Sequence, residues 1–391
     1  LGLGWMHRLT ECNCWQGVQR IPGQVFLSTR QSLKAQMLHL VRYRIREQHL
    51  RNKGSESHLD RMLKFADPSN PTVLTIGFAR RFATYKRATL LFNNLDLLRE
   101  IFSDKDRPVV FIFAGKAHPA DEPGQALIRQ IYELSRQPEF ESHILLLEGY
   151  DLPLARRMVA GVDVWLNNPV YPLEASGTSG IKAAINGAMN LSVLDGWWGE
   201  GYDGKNGWEI KPTAEGLDPA ARDAEEARTL YELLQDSVIP QYYCNGSLGY
   251  SPEWVTMAKQ SIASIMPRFN IHRMLGEYAG NFYAPAAAQW RRFSEDNFSG
   301  ARQIAAWKIR IRNAWPRVAL RRLDTPQQRM RYGDTLRFEI AVQLNGLTPD
   351  DVTVELVFVR PNDHDPAKAK RYPLRHERPL ENGEHLFVRE L

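Results

Sequence analysis

Between residues 73 and 196, short and nearly unbroken apolar runs alternate with segments whose apolar residues recur every three or four positions. VLTIGFA (73–79), VVFIFAG (109–115), HILLLEGY (143–150), VDVWLNN (162–168) and LSVLDG (191–196) predict strands. ATLLFNNLDLLREIF (88–102), GQALIRQIYELSRQ (124–137) and PLARRMVAGV (153–162) predict the helices between them. A further helix, containing Lys182, fills the last gap. Strands without period-two alternation are buried on both faces. Strand and helix in turn give an α/β fold, a doubly wound parallel sheet whose ligands sit beyond the carboxyl ends of the strands.

The flanks read differently. Residues 30–52 carry apolar positions at helical spacing, and 222–296 are mostly helical. TLRFEIAVQL (335–344) and VTVELVFVR (352–360) alternate with period two, with Asn345-Gly346 and Pro349-Asp350-Asp351 between them. That pattern predicts a small antiparallel, sandwich-like β unit. The expected organisation is 1–70 as the end of a preceding domain with a connecting helix, 71–300 as a Rossmann-like domain with trailing helices, and 301–391 as a truncated β extension. The chain opens LGLGWM without an initiator methionine and closes HLFVREL inside an alternating run, so it reads as part of a longer protein.

Composition narrows the classes. Hydrophobic residues at 43% and charged residues at 24% suit a globular protein. A net charge of +5 is thin over 391 residues, and the basic runs 41–53 and 307–322 alternate with apolar residues. They read as solvated faces, not as a nucleic-acid surface. No apolar run is long enough for a membrane helix. Three cysteines, with Cys12 and Cys14 lacking a second pair, suit a reducing, cytoplasmic setting and offer no metal site.

The chemistry gathers at the strand ends. The first strand empties into RRFATYKR, where Arg80, Arg81, Lys86 and Arg87 put four cations within eight residues. A solvated loop is the plain reading. At the mouth of a parallel sheet, an anion site competes with it, because Arg offers forked contacts to phosphate and Lys a point charge. The second strand leads to AGKAHP (114–119), where Gly115 permits close backbone approach. The stretch EASGTSGIK (174–182) sets Ser176, Gly177, Thr178 and Ser179 before and at the start of a helix, a potential phosphate cradle. The helix dipole opposes an ammonium at Lys182. That lysine is either a charge on phosphate or an amine for a Schiff base with an aldehyde cofactor such as pyridoxal phosphate; spacing does not separate the two. Glu174 is either a partner for sugar hydroxyls or a member of a cap or salt bridge.

Together these segments resemble the α-glucan phosphorylases, the family of glycogen, starch and maltodextrin phosphorylases. E-A-S-G-T-x-x-x-K is similar to their cofactor segment and RRFATYKR to their phosphate segment. AGKAHP is similar to their G-G-K-A-x-P turn, and LEGY to their L-E-N-Y. The resemblance implies a GT-B fold of two facing Rossmann-like domains, of which 71–300 would be the cofactor-binding one. It implies pyridoxal phosphate on Lys182, with Thr178, Ser179 and Arg80 at the cofactor phosphate and Tyr150 nearby. Arg81 and Lys86 would hold the substrate phosphate, and Glu174, Ser176 and Gly177 the glucosyl hydroxyls. The implied reaction is reversible phosphorolysis of an α-1,4-glucan to α-glucose 1-phosphate. The chain departs from better-studied members at Ser179-Gly180-Ile181, where they have Gly-Asn-Met. It also has Asp151 where they often have Arg. A GT-B nucleotide-sugar glucosyltransferase shares the sheet but needs no Lys182; a non-catalytic glucan-binding module needs no Arg81 and Lys86. The oligomeric state is not set by the sequence, and a homo-oligomer is compatible with it.

Overall fold

The computed structural model describes residues 2, 4–214, 216–325, 335–359 and 369–391. The chain divides into two compact units, Leu1–Glu277 and Tyr278–Leu391.

The first unit is built on a six-stranded sheet of β1 (Leu74–Ala79), β2 (Val109–Ala114), β3 (Ile144–Leu147), β4 (Val164–Asn167), β5 (Met189–Val193) and β6 (Gly207–Ile210). All pairings are parallel, and the order is β3-β2-β1-β4-β5-β6. This is the doubly wound order whose direction reverses between β1 and β4, leaving a crevice beyond their carboxyl ends. The first five strands overlap the five apolar runs, although β5 begins two residues before the run 191–196 and ends at Val193. The run 143–150 is a strand only to Leu147, and the sixth strand was not anticipated. Its GWEI is four residues long and opens at Gly207, where a Cβ would lie 2.5 Å from the Asn190 carbonyl oxygen. A strand that short, started by glycine, leaves little apolar signal.

The helices of this unit include α1 (Gly23–Arg51), α2 (Leu95–Ser103), α3 (Glu122–Ser135), α4 (Leu152–Gly161), α5 (Ser179–Ile185), α6 (Pro219–Leu233) and α7 (Pro252–Ile265). The helix expected over 88–102 is broken. A single turn at Leu90–Phe92 precedes α2, because the Asn94 side chain accepts from the Asp96 and Leu97 amides and starts a new helix there. Alternate strand residues point to opposite faces. Phe111 and Phe113 join Ile76, Phe78 and the apolar faces of α2, α6 and α7. Val110, Ile112 and Ala114 join Met37, Leu38, Val41 and Ile45 of α1 and Met158 of α4. Helix α1, in the segment read from sequence as the end of a preceding domain, thus packs on this sheet. It also holds other helices in place: the Arg30 guanidinium donates to the carbonyls of Ala160, Val162 and Asn186 at the ends of α4 and α5. Carbonyls left unpaired at helix ends need such donors.

The second unit carries β7 (Ala319–Arg322), β8 (Arg337–Gln343), β9 (Glu355–Phe358), β10 (Lys370–Pro373), β11 (Arg375–Pro379) and β12 (His385–Glu390). They form an antiparallel sheet ordered β11-β12-β8-β7 and an antiparallel pair β10-β9. The two alternating runs expected here therefore lie in different sheets. The last residue of the run 352–360 lies outside the described residues. Ile340, Val342, Phe387 and Leu374 form its core, with Leu356 of the smaller sheet packed against it. Among the described residues, no helix is long and apolar enough to cross a membrane.

Candidate functional site

Adjacent strands bring distant loops together. Because β1 lies beside β4, with Ile76 opposite Val164, the loop after β1 and the loop after β4 leave the sheet side by side. The Val170 amide donates to the Tyr85 carbonyl at 2.7 Å and ties the two loops. A third loop is drawn in by Gly115, after β2. A Cβ there would stand 2.0 Å from the Arg80 carbonyl oxygen, so the backbone runs where only glycine fits.

The four cations of RRFATYKR separate by role. Lys86 ends a short 3₁₀ turn, and Arg87 follows it in the left-handed region at φ 47°. This reversal sends neighbouring side chains in different directions. Arg87 is buried and donates to the carbonyls of Asn168 (2.9 Å) and Pro169 (2.8 Å) and to Asp223 (2.9 Å), and it pairs with the buried Glu226. It is a strut between the loops and does not belong with an anion site, contrary to the reading of all four as one cluster. Arg81 is exposed. Arg80 and Lys86 turn inward to one carboxylate. Glu174 Oε2 lies 2.6 Å from Lys86 Nζ and 3.3 Å from Arg80 Nη1, and all three side chains are at most 10% exposed. Of the two sequence readings of Glu174, the salt bridge is the one present here.

Burial lowers the pKa of the Arg80 guanidinium, and the Glu174 carboxylate opposes this most strongly. Its Nε is buried and has no hydrogen-bond partner among the described residues. A buried guanidinium hydrogen without an acceptor is costly, so Arg80 has one donor still to be used. Tyr150 stands close by. Its hydroxyl is 3.4 Å from the Ala79 carbonyl oxygen. Burial pushes its phenol above the ordinary value, with Arg80 pulling it back.

The loop that carries Glu174 is anchored by a residue that the sequence reading did not single out. Asp195, buried just beyond β5, accepts the Glu174 amide at 2.9 Å and the Gly196 amide at 2.8 Å. The Trp197 amide donates to the Ser176 carbonyl at 2.9 Å. An acid closing the apolar run LSVLDG at a strand's carboxyl end was the available signal. Gly177 then turns the chain at φ +81°, and α5 begins at Ser179. Lys182, its fourth residue, is exposed, with Nζ 3.2 Å from Thr178 Oγ1. It opens on a groove rimmed by His39 of α1 and by Arg156 and Arg157 of α4. Among the described residues, the side chains of Arg81, Ser176 and Ser179 make no hydrogen bond, so their hydroxyl and guanidinium donors are free for a ligand.

Asp151, the departure from the resembling family, has two partners. It accepts the Leu154 amide at 2.9 Å as the N-cap of α4 and pairs with Arg44 of α1 at 2.5 Å. The backbone bond and then Arg44 hold its carboxyl below the usual range. The basic run 41–53 is therefore not only a solvated face: a guanidinium reaches this corner of the site from α1. Nothing local in sequence links residues 44 and 151.

The arrangement suits anions. Two buried cations, one carrying an unused donor, sit beside small residues and free hydroxyls, with an exposed amine one helical turn away. The donor set fits a phosphorylated aldehyde cofactor. Among the described residues, no group of three or more His, Cys, Asp or Glu could hold a metal ion.

A carbohydrate phosphorylase family model matches residues 67–198, and a glycogen phosphorylase C-terminal domain model matches residues 315–391. The chain is 44% identical over 360 residues to a maltodextrin phosphorylase of Thermococcus litoralis, covering 92% of this chain and 41% of that protein. It is 40% identical over 356 residues to a glycogen phosphorylase of Mycobacterium tuberculosis, covering 90% of this chain and 41% of that protein. A glycogen phosphorylase of Aquifex aeolicus is 43% identical over 284 residues, which cover 73% of this chain and 40% of that protein. The chain thus spans about two fifths of the length of these relatives.

Proposed function

We propose, for a chain that belongs to the carbohydrate phosphorylase family, that it is the cofactor- and phosphate-binding part of an α-1,4-glucan phosphorylase. The whole protein would use inorganic phosphate to release α-glucose 1-phosphate from the non-reducing end of a glycogen- or maltodextrin-like chain. The observation that carries this reading is the meeting, at the crossover between β1 and β4, of Arg80 and Lys86 with the loop holding Glu174 and leading to Lys182.

Lys182 would anchor pyridoxal phosphate through its exposed amine. Thr178, Ser179 and Arg80 would hold the cofactor's phosphate, and the unused Nε of Arg80 supports that role. When bound, this cofactor supplies a phosphate group that exchanges a proton with the substrate phosphate. Arg81 and Lys86 would hold the substrate phosphate against it. Two phosphates side by side repel by several kcal/mol at protein-like dielectric, which is why the site needs several cations and hydroxyl donors. Glu174, Ser176 and Gly177 would receive the glucosyl hydroxyls, and Tyr150 would wall the cofactor. Asp151 with Arg44 would stand where related proteins place an arginine, delivering a guanidinium from α1.

The test is an absorbance spectrum of the chain with pyridoxal phosphate, followed by borohydride and peptide mapping. The expected result is one reduced adduct on Lys182, absent in Lys182→Ala. An adduct that maps to another lysine, or survives the substitution, refutes the assignment.

A further inference from the structure

We propose that Glu174 is the resident counter-ion of the phosphate-binding cations, so that phosphate binds by displacing this carboxylate and thereby frees it for the sugar. The inference rests on the phosphorylase reading above. It differs from a static assignment, in which Glu174 only contacts sugar and the cations only contact phosphate.

Three observations carry it. First, a single oxygen, Glu174 Oε2, is shared by Lys86 at 2.6 Å and Arg80 at 3.3 Å. A phosphate dianion cannot take up Lys86 Nζ with the carboxylate still in contact, because like charges within about 4 Å in a buried site repel strongly. Second, the exchange favours phosphate in donor bookkeeping. Lys86 Nζ now shares one carboxylate oxygen with Arg80, whereas phosphate offers Lys86 several oxygens and leaves Arg80, whose Nε has no acceptor in the carboxylate-bound arrangement, to the cofactor phosphate assigned to it. Third, the carboxylate can move while its backbone stays. The Glu174 amide is pinned to Asp195 at 2.9 Å. On the far side, Glu174 Oε1 faces the Gly177 turn, 3.6 Å from the point where a Cβ would be. With no side chain at 177, rotation about the Glu174 side-chain bonds leads toward Ser176 and Gly177, the residues assigned to the sugar.

The consequence is linkage. Phosphate entry converts Glu174 from a buried ion-pair partner into a free acceptor for sugar hydroxyls. By reciprocity, a sugar that engages Glu174 leaves the cations open to phosphate. Each ligand prepares the place of the other, with no change of backbone.

The experiment is titration calorimetry of the full 391-residue chain with inorganic phosphate. Wild type is compared with Glu174→Gln, Glu174→Asp and Lys86→Met, each first shown to be folded by its unfolding transition. Glu174→Gln removes the competing charge and keeps the shape. Its phosphate Kd is expected to fall by about tenfold, at the low end of measured couplings between close charge pairs. Glu174→Asp, whose shorter side chain reaches the cations less well, is expected to fall part of the way, and it decides the matter if the Gln variant does not fold. Lys86→Met is expected to weaken phosphate. An unchanged or raised Kd in folded Glu174→Gln, with Lys86→Met weakened, overturns the exchange and leaves the phosphate site standing. Phosphate binding that ignores Lys86→Met overturns the site and the exchange together.

Discussion

Arg87 offers a direct measure of how firmly the two strand-end loops are joined. Arg87→Met keeps a long, unbranched side chain at the same positive φ, so backbone strain is unchanged and only the guanidinium is lost. Two carbonyls, Asn168 and Pro169, lose donors at 2.9 and 2.8 Å. Glu226, whose side chain is 1% exposed, loses its cation, although its other oxygen keeps Thr213 as a donor at 3.2 Å. Removing one member of a buried pair costs about 3–5 kcal/mol, much of it the charge left behind. Asp223, about one-third exposed, adds little. Glu226→Gln is milder, about 1–3 kcal/mol: the amide oxygen still accepts, and the buried Arg87 charge keeps Asp223 as its counter-ion.

The double substitution should therefore cost less than the sum of the two, with a coupling of about 2 kcal/mol. Urea unfolding followed by tryptophan fluorescence reads this, since Trp165, Trp198 and Trp208 are buried in the first unit. At roughly 2–4 °C per kcal/mol for a unit of this size, the Tm of Arg87→Met should fall by roughly 6–20 °C. An Arg87→Met protein within 1 kcal/mol of wild type, or a strictly additive cycle, would refute the view of Arg87 as a strut. It would return this residue to the anion cluster from which its contacts remove it.

Other substitutions test neighbouring parts. Gly115→Ala puts a Cβ 2.0 Å from the Arg80 carbonyl, backbone against backbone, so it should cost about 1–3 kcal/mol and weaken phosphate binding; a neutral result in calorimetry would show that the loops can part freely. Asp195→Asn replaces an acceptor of two amides with a group whose NH₂ must face one of them, so amide hydrogen exchange in 170–178 should quicken, and unchanged protection would count against Asp195 as the anchor. Burial pushes the Tyr243 phenol up to about 12, above the ordinary ~10. The folded state therefore holds this proton more tightly than the unfolded chain. The stability it contributes is whole below about pH 10 and is lost as pH climbs toward 12. Tyr243→Phe should lose stability less steeply across that window, and an equal slope would remove Tyr243 from the account.

What could be read in the sequence follows from how far each cause reaches along the chain. Five strands were legible because burial on both faces writes itself into consecutive residues, as in VVFIFA, where every position is buried. The break in the helix over 88–102 was harder, because an N-cap at Asn94 is one polar residue inside an otherwise helical pattern. In the site, the location of the cations was legible and their partners were not. Lys86 and Arg87 are adjacent and chemically alike, yet one faces Glu174 and the other Glu226. The difference is a left-handed φ at Arg87, for which a non-glycine residue carries no local marker.

Glu174 and Lys86 are 88 positions apart, and Asp151 and Arg44 are 107 apart. What joins the first pair is strand order: β4 beside β1 makes their following loops neighbours. Periodicity predicts that a strand exists but not which strand lies next to it. Order is set by the crossover helices and by which faces they cover, and both are tertiary. This is also why Glu174 stayed open between sugar contact and salt bridge. A carboxylate judged alone beside an anion site is an anomaly, whereas one placed against two buried cations is their counter-charge. Whatever anion enters has to contend with it, so the conflict that left the sequence reading undecided is itself a property of the site.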